Sequence, residues 1–212
     1  MTGNSVDLAR EFIQDIDVLE VTCCKMESLL SNGHINETDI VQFYNGLYLN
    51  LFVGFERLLD ELFFGLLSGD ISTSLPVARI VPPISSDLAR SILLIGKNYL
   101  DWLPYENTLE RAKVFFRDGM PFTLLNDQNR SNLTRYVYIR NAIAHRSEYA
   151  VSKFTKHIIG DSKLPPRERT PVGFLRGNFR SAPSQTRYEL IEQMKKRIKL
   201  LTQNKAIVVT PN

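Results

Sequence analysis

The segment from residue 37 to residue 67 constrains this chain more than any other. Its second part, LYLNLFVGFERLLDELFFGLL from Leu47 to Leu67, is the most apolar stretch of the sequence. Glu56, Arg57, Asp60 and Glu61 lie inside it, which is too much charge for a membrane span. It therefore reads as a long buried helix with one wet stripe. A second helical pattern precedes it. From Val6 to Leu30 the residues Phe12, Ile16, Leu19, Val21, Cys24, Met26 and Leu30 recur at three- and four-residue steps, with acids on the other face. Ser31-Asn32-Gly33 stops that helix, and Asn36 caps the next one with Asp39 three residues later. Two long helices joined by so short a turn are expected to pack antiparallel, which points to an all-α fold.

The remainder continues in helices. Residues 70–84, with Pro76, Pro82 and Pro83, form a loop. Ser85 or Ser86 caps a third helix running to about Leu100, and Pro104 breaks it. Glu106 to Arg117 is a short fourth helix closed by Asp118-Gly119, and residues 119–128 are irregular. Asn129 to Arg146 is a fifth helix, and Glu148 to Ile159 continues as a helix after a bend. Residues 160–183 carry Pro165, Pro166, Pro171 and Pro183 and are expected to be irregular, although Phe174 and Phe179 argue against plain disorder. Ser184 to Gln203 is the last helix, and the tail Ala206 to Val209 is the one candidate strand. Residues 1–212 thus read as a single helical domain.

Residues 1–20 carry Asp7, Glu11, Asp15, Asp17 and Glu20 with no long apolar run, so a signal peptide is not expected. Cys23 and Cys24 are neighbours on one helix and unsuited to a mutual disulfide. They read as small packing residues of a protein in a reducing, cytoplasmic compartment. Charge is unevenly spread: residues 1–150 hold 13 Lys and Arg against 19 Asp and Glu, and residues 151–212 hold 13 against 4. That asymmetry fits a polyanion or an acidic protein as partner, or simply a solvated basic helix and loop.

The histidines are His34, His145 and His157. No Ser-His-Asp pattern, zinc-protease motif or Gly-rich phosphate cradle accompanies them, and no metal or cofactor is expected. What remains is Arg140-Asn141-Ala142-Ile143-Ala144-His145. Asn141 and His145 are four apart and share a helix face, and the long side chain of Arg140 can swing toward it. A guanidinium, an amide and an imidazole thus gather at a helix C-terminal end. In the plainer alternative Arg140 pairs an acid such as Glu56, and His145 only caps the helix. Tyr136, Tyr138 and Tyr149 flank the motif, either as stacking partners for unpaired bases or as core and interface aromatics. His34 and His157 read as bystanders.

The run RNAIAH resembles the R-x4-H motif of the HEPN family, including the polar residue that the family prefers after the arginine, here Asn141. The segment from Leu47 to Leu67 is similar to the family's early core helix, with Glu56 in an aromatic-rich run. The likeness covers most of residues 5–205 and is nearest to the RiboL-PSP-associated HEPN proteins. Arg146 departs from it, because many relatives carry a small residue there. The resemblance implies an antiparallel helical bundle, here with a long C-terminal loop and a final helix. It also implies a metal-independent endoribonuclease, often a toxin or an antiviral defence effector, working as a homodimer in which two motifs meet. Arg140, Asn141 and His145 would then be catalytic, with Glu56, Tyr136, Arg146 and Tyr149 supporting them. Arg167, Arg169, Arg176 and Arg180 are candidates for holding the RNA backbone. So is the Lys195-Lys196-Arg197-Lys199 cluster, unless it is an ordinary exposed face. An antitoxin or another defence-system protein is a possible partner. The other reading is a non-catalytic HEPN module that binds RNA, a nucleotide, or a protein such as an antitoxin or a nucleotidyltransferase.

Overall fold

The computed structural model describes residues 3–94, 97–177 and 186–203. Among them are the helices α1 (Ser5–Ser31), α2 (Glu37–Ser68), α3 (Ser86–Leu94), α4 (Tyr105–Phe115), α5 (Asp127–His145), α6 (Glu148–Phe154), α7 (Pro171–Arg176) and α8 (Thr186–Thr202). The protein is mostly helical, as the periodicity requires. Among the described residues no helix is long and apolar enough to cross a membrane. The chain gathers into two compact units. One takes its described residues from Met1–Glu11, Leu58–Arg130 and Lys196–Asn212, the other from Phe12–Arg57 and Ser131–Lys195.

The first unit is built around Phe63. Its ring lies 5.2 Å from Trp102, 5.3 Å from Phe116, 5.6 Å from Phe122 and 5.9 Å from Phe115, centroid to centroid, mostly tilted or edge-on. These are the separations at which the ring quadrupoles attract. Asp60, one turn earlier on α2, accepts from Trp102 Nε1 at 3.0 Å and from the Arg90 guanidinium, whose carbon sits 4.0 Å over the Phe64 ring. The start of α1 and the last turn of α8 are tied together here as well. Buried Ser5 Oγ donates to the carbonyl of Thr202 at 2.8 Å. A two-residue strand β1 (Gly3–Asn4) pairs in parallel with β2 (Ile71–Ser72). The pattern of side chains does not announce that pair, because two residues are too few to show an alternation. The strand expected at Ala206 to Val209 lies outside the described residues.

Helix α3 stops at Leu94 rather than near Leu100. The chain after it is claimed by α4: Thr108 Oγ1 donates to the Trp102 carbonyl at 2.6 Å, and Arg111 Nη2 holds the Asp101 carboxylate at 2.6 Å. These bonds hold Asp101 and Trp102 outside a helix, with Trp102 against Phe63. Ser85 supplies the cap, its Oγ accepting from the Leu88 amide at 3.3 Å.

In the second unit the turn between α1 and α2 is formed as expected. Gly33 takes φ +73°, and Asn36 Oδ1 accepts from the amides of Thr38 and Asp39 at 2.8 and 3.1 Å. Asp39 Oδ2 accepts in return from the Asn36 amide at 2.9 Å, a reciprocal capping box. Phe12 meets Phe55, and Glu27 meets Tyr44, so positions rising along α1 pair with positions falling along α2. The two helices are therefore antiparallel over this unit. Gly54 permits the close approach at one end, since a Cβ there would stand 2.9 Å from the Phe12 ring.

Of the segment expected to be irregular, 160–183, the described part up to Gly177 is more ordered than its prolines suggest. Pro166 to Arg169 makes one tight helical turn and Pro171 opens α7, with Thr170 Oγ1 accepting from the Gly173 amide at 3.1 Å. Proline at a first helical position needs no N–H partner, so here it starts structure instead of ending it. Phe174 is buried, while Phe179 lies outside the described residues. Phe63→Ala should cost about 3–5 kcal/mol of stability, typical of a large buried ring. Urea unfolding followed by the fluorescence of Trp102, the single tryptophan, measures this directly. A loss below about 1 kcal/mol would show that the cluster does not hold this unit.

Candidate functional site

Helix α5 carries the motif through the second unit. Leu133, Ile139, Ala142 and Ile143 are its buried residues, and the Tyr136 carbonyl accepts from the hydroxyl of Tyr48 on α2 at 3.2 Å. Burial pushes the Tyr48 hydroxyl well above its ordinary pKa, with Tyr136 adding to the shift, so it stays a neutral donor. These contacts fix the roll of α5. Arg140 and Asn141 are left half-buried, and Ala144 and His145 are exposed.

Arg140 Nη1 donates to Asn141 Oδ1 at 2.9 Å. Among the described residues the guanidinium makes no other hydrogen bond or ion pair, and Glu56, half-buried on α2, is not its partner. The resemblance counts Asn141 among the catalytic residues. In the structure its carbonyl oxygen is spent on Arg140, which aims the guanidinium and leaves the amide N–H groups as donors. The His145 imidazole is exposed in the last turn of α5 and has no hydrogen-bond partner among the described residues. One protomer thus presents donors for an anion and a single accessible imidazole.

Arg146 follows with φ +48°, the left-handed conformation that commonly ends a helix and that glycine adopts most easily. Ser147 then caps α6, its Oγ accepting from the Ala150 amide at 3.3 Å. At Arg146 a bulky residue therefore sits where the turn favours glycine. After the turn, α6 and the wide helical turn Thr155–Ile159 bring His157 back to α5. There it stacks on Tyr138 with ring centroids 4.7 Å apart and planes 16° from parallel. No spacing rule links residues 138 and 157, so the sequence carried no signal for this pair. Tyr149 is 73% exposed, with the Lys153 ammonium 5.4 Å from its ring centre. Tyr136 instead lines a cleft of about 210 Å³ with Arg135, Ile139, Ile158 and Phe174.

The basic residues divide. Arg167 is exposed, its side chain 87% accessible, and Arg169 Nε donates to the Leu164 carbonyl at 3.0 Å. Arg176 is taken up inside the unit: Nε and Nη2 bind Glu27 at 2.9 and 3.1 Å, and Nη1 binds Glu37 at 2.7 Å. Its planar fork is thereby committed to carboxylates and fastens α7 to α1 and α2. Arg180 lies outside the described residues. The lysine-rich stretch of α8 is not one exposed face. Lys195 Nζ sits 2.6 Å from Asp17, 3.1 Å from Glu192 and 3.5 Å from Glu20, and Arg197 is fully buried. Burial works against the Lys195 ammonium, but Asp17 and Glu192 outweigh it and raise its pKa well above the ordinary lysine value. Nothing local in the sequence pairs Glu27, Glu37, Asp17 and Glu20 with positions 176 and 195.

Among the described residues no group of three or more His, Cys, Asp or Glu is placed to hold a metal ion. Cys23 is buried and Cys24 is exposed. No protein-family model, no characterised protein and no solved structure matches the chain. Arg146→Gly should raise stability by about 0.5–1 kcal/mol, by relieving the left-handed strain. In a thermal melt this is a gain of a few degrees, and an unchanged melting temperature would mean that the arginine side chain offsets its own backbone strain.

Proposed function

We propose that this protein is an endoribonuclease of HEPN type, which cuts RNA without a metal at a site shared by two copies of the chain. The observation that carries the reading is the placement of Arg140, Asn141 and His145 on the last turns of α5. Arg140 is aimed by Asn141, and His145 is exposed beside them. The resemblance of RNAIAH to the R-x4-H motif gives that arrangement its chemistry.

RNA cleavage of this kind is an internal transfer. The 2′-oxygen attacks the adjacent phosphorus, its proton goes to a base, and the 5′-oxygen leaves with a proton from an acid. The products are a 2′,3′-cyclic phosphate and a 5′-hydroxyl. Two proton-transfer groups are needed, each contributing roughly 10²–10⁴-fold. Each protomer supplies one exposed motif imidazole. A two-fold interface places both copies of a residue near its axis, so two His145 serve as base and acid. Arg140 and the amide of Asn141 bind the non-bridging oxygens, where charge grows in the transition state. The exposed Ala144, Tyr149 and Val151 provide apolar surface next to the motif for such an interface. Exposed Arg167 and Arg169 remain available to the RNA backbone, while Arg176 is assigned to structure. A toxin or antiviral effector is the biological setting that the resemblance suggests.

The purified protein should cut single-stranded RNA in excess EDTA and leave cyclic phosphate ends. His145→Ala should lower the rate at least 10²-fold with the melting temperature unchanged, and Arg140→Ala should do the same. Equal cutting by wild type and His145→Ala would sink the proposal. RNA binding without cutting would indicate the non-catalytic module instead. Sedimentation should give a dimer, and a monomer at micromolar concentration would remove the shared site.

A further inference from the structure

The stacked pair Tyr138–His157 lies in line with the motif. Tyr138 precedes His145 by seven residues, so on α5 the two are about 20° apart around the axis and about 10 Å apart along it. Asn141 falls on the same stripe. The rings are 4.7 Å apart and 16° from parallel, and they come from two different elements, α5 and the turn Thr155–Ile159. Tyr138 is half-buried and His157 is exposed, so the imidazole is the outer layer of a two-ring plate facing solvent. Among the described residues neither the Tyr138 hydroxyl nor the His157 imidazole makes a hydrogen bond, so between the two side chains the contact is stacking alone. Lys156, the residue before His157, is exposed. The plate thus has an accessible π face, a neighbouring cation, and a place on the same helix face as the phosphate-binding groups.

We infer that Tyr138 and His157 form a stacking platform that seats one unpaired base of the RNA strand. Every base offers a flat face, so such a platform accepts a strand without reading its sequence. Stacked nucleotides rise about 3.4 Å each, so a separation of about 10 Å puts the seated base within three nucleotides of the phosphate at His145. Such a platform favours single strands, since a paired base cannot leave its neighbours to lie on the plate. The inference rests on the ribonuclease reading for its ligand. Its contribution is positioning: Tyr138 and His157 hold the strand, and neither moves a proton.

The test uses the full-length His145→Ala protein and single-stranded oligonucleotides with one 2-aminopurine, moved base by base past the bond that wild type cuts. Binding should quench the probe at one position within three nucleotides of that bond. His157→Ala should abolish the quench and weaken binding roughly tenfold or more, while His157→Trp restores both. In the cleaving protein, His157→Ala should raise KM and leave kcat nearly unchanged, a split that a merely structural role would not give. Cutting without any position-specific quench overturns the platform and keeps the nuclease. Quenching without cutting keeps the platform and removes the nuclease, and neither signal removes both. Should His157→Ala fail to fold, the quench in the His145→Ala protein alone decides the matter.

Discussion

The burial of α2 is the constraint that the other helices answer. From Ile40 to Leu67 it buries Tyr44, Tyr48, Phe52 and Phe55 in one unit and Leu59, Leu62, Phe63 and Phe64 in the other. Each fully buried large side chain is worth about 1.5–3 kcal/mol against exposure, so leaving this helix uncovered is not an option for the chain. In one unit Trp102, Phe115, Phe116 and Phe122 converge on Phe63. In the other, α1 covers one side, and α5 is hung on α2 through the hydroxyl of Tyr48. The position of the motif follows from that hydrogen bond and from the buried face of α5, not from the motif residues themselves.

The uneven charge of the sequence is partly resolved within the fold. Arg176 and Lys195, from the basic C-terminal part, are met by Glu27, Glu37, Asp17 and Glu20 from the acidic N-terminal part. Glu27 also accepts from the Tyr44 hydroxyl at 2.7 Å, so one carboxylate joins α1, α2 and α7. Half-buried charges are retained only when they are paired this well, because desolvation otherwise exceeds the attraction. The charge left for a polyanion is correspondingly smaller than the composition implies, and it centres on residues such as Arg167, Arg169 and Lys156. The acidic partner suggested by composition is, for two of these cations, the chain itself.

Around the motif the arrangement follows from a sharp reversal. The left-handed Arg146 and the Ser147 cap end one helix and start another within two residues. That reversal keeps His145 exposed and returns His157 to Tyr138. It turns a histidine that looked like a bystander into a neighbour of the motif face, so that α5 carries the guanidinium–amide pair and one ring of the plate while the turn Thr155–Ile159 supplies the other.

The sequence by itself determined the two long helices and the caps and antiparallel turn between them. These depend on local rules: periodicity sets which face is apolar, and Asn36, Asp39 and Gly33 satisfy backbone groups within a few residues of themselves. The grouping of Asn141 with His145 was equally legible, since helical geometry fixes neighbours four apart. What only the tertiary structure decided were the partners distant in sequence. Arg176 turning inward, Arg197 becoming buried and His157 stacking on Tyr138 all depend on how helices roll and return. No periodicity encodes that, because it is set by which apolar faces must meet. Between Pro165 and Pro171 the same limit applied. The prolines spoke for a loop, and only the packing of Phe174 with the Thr170 cap made them the start of ordered turns.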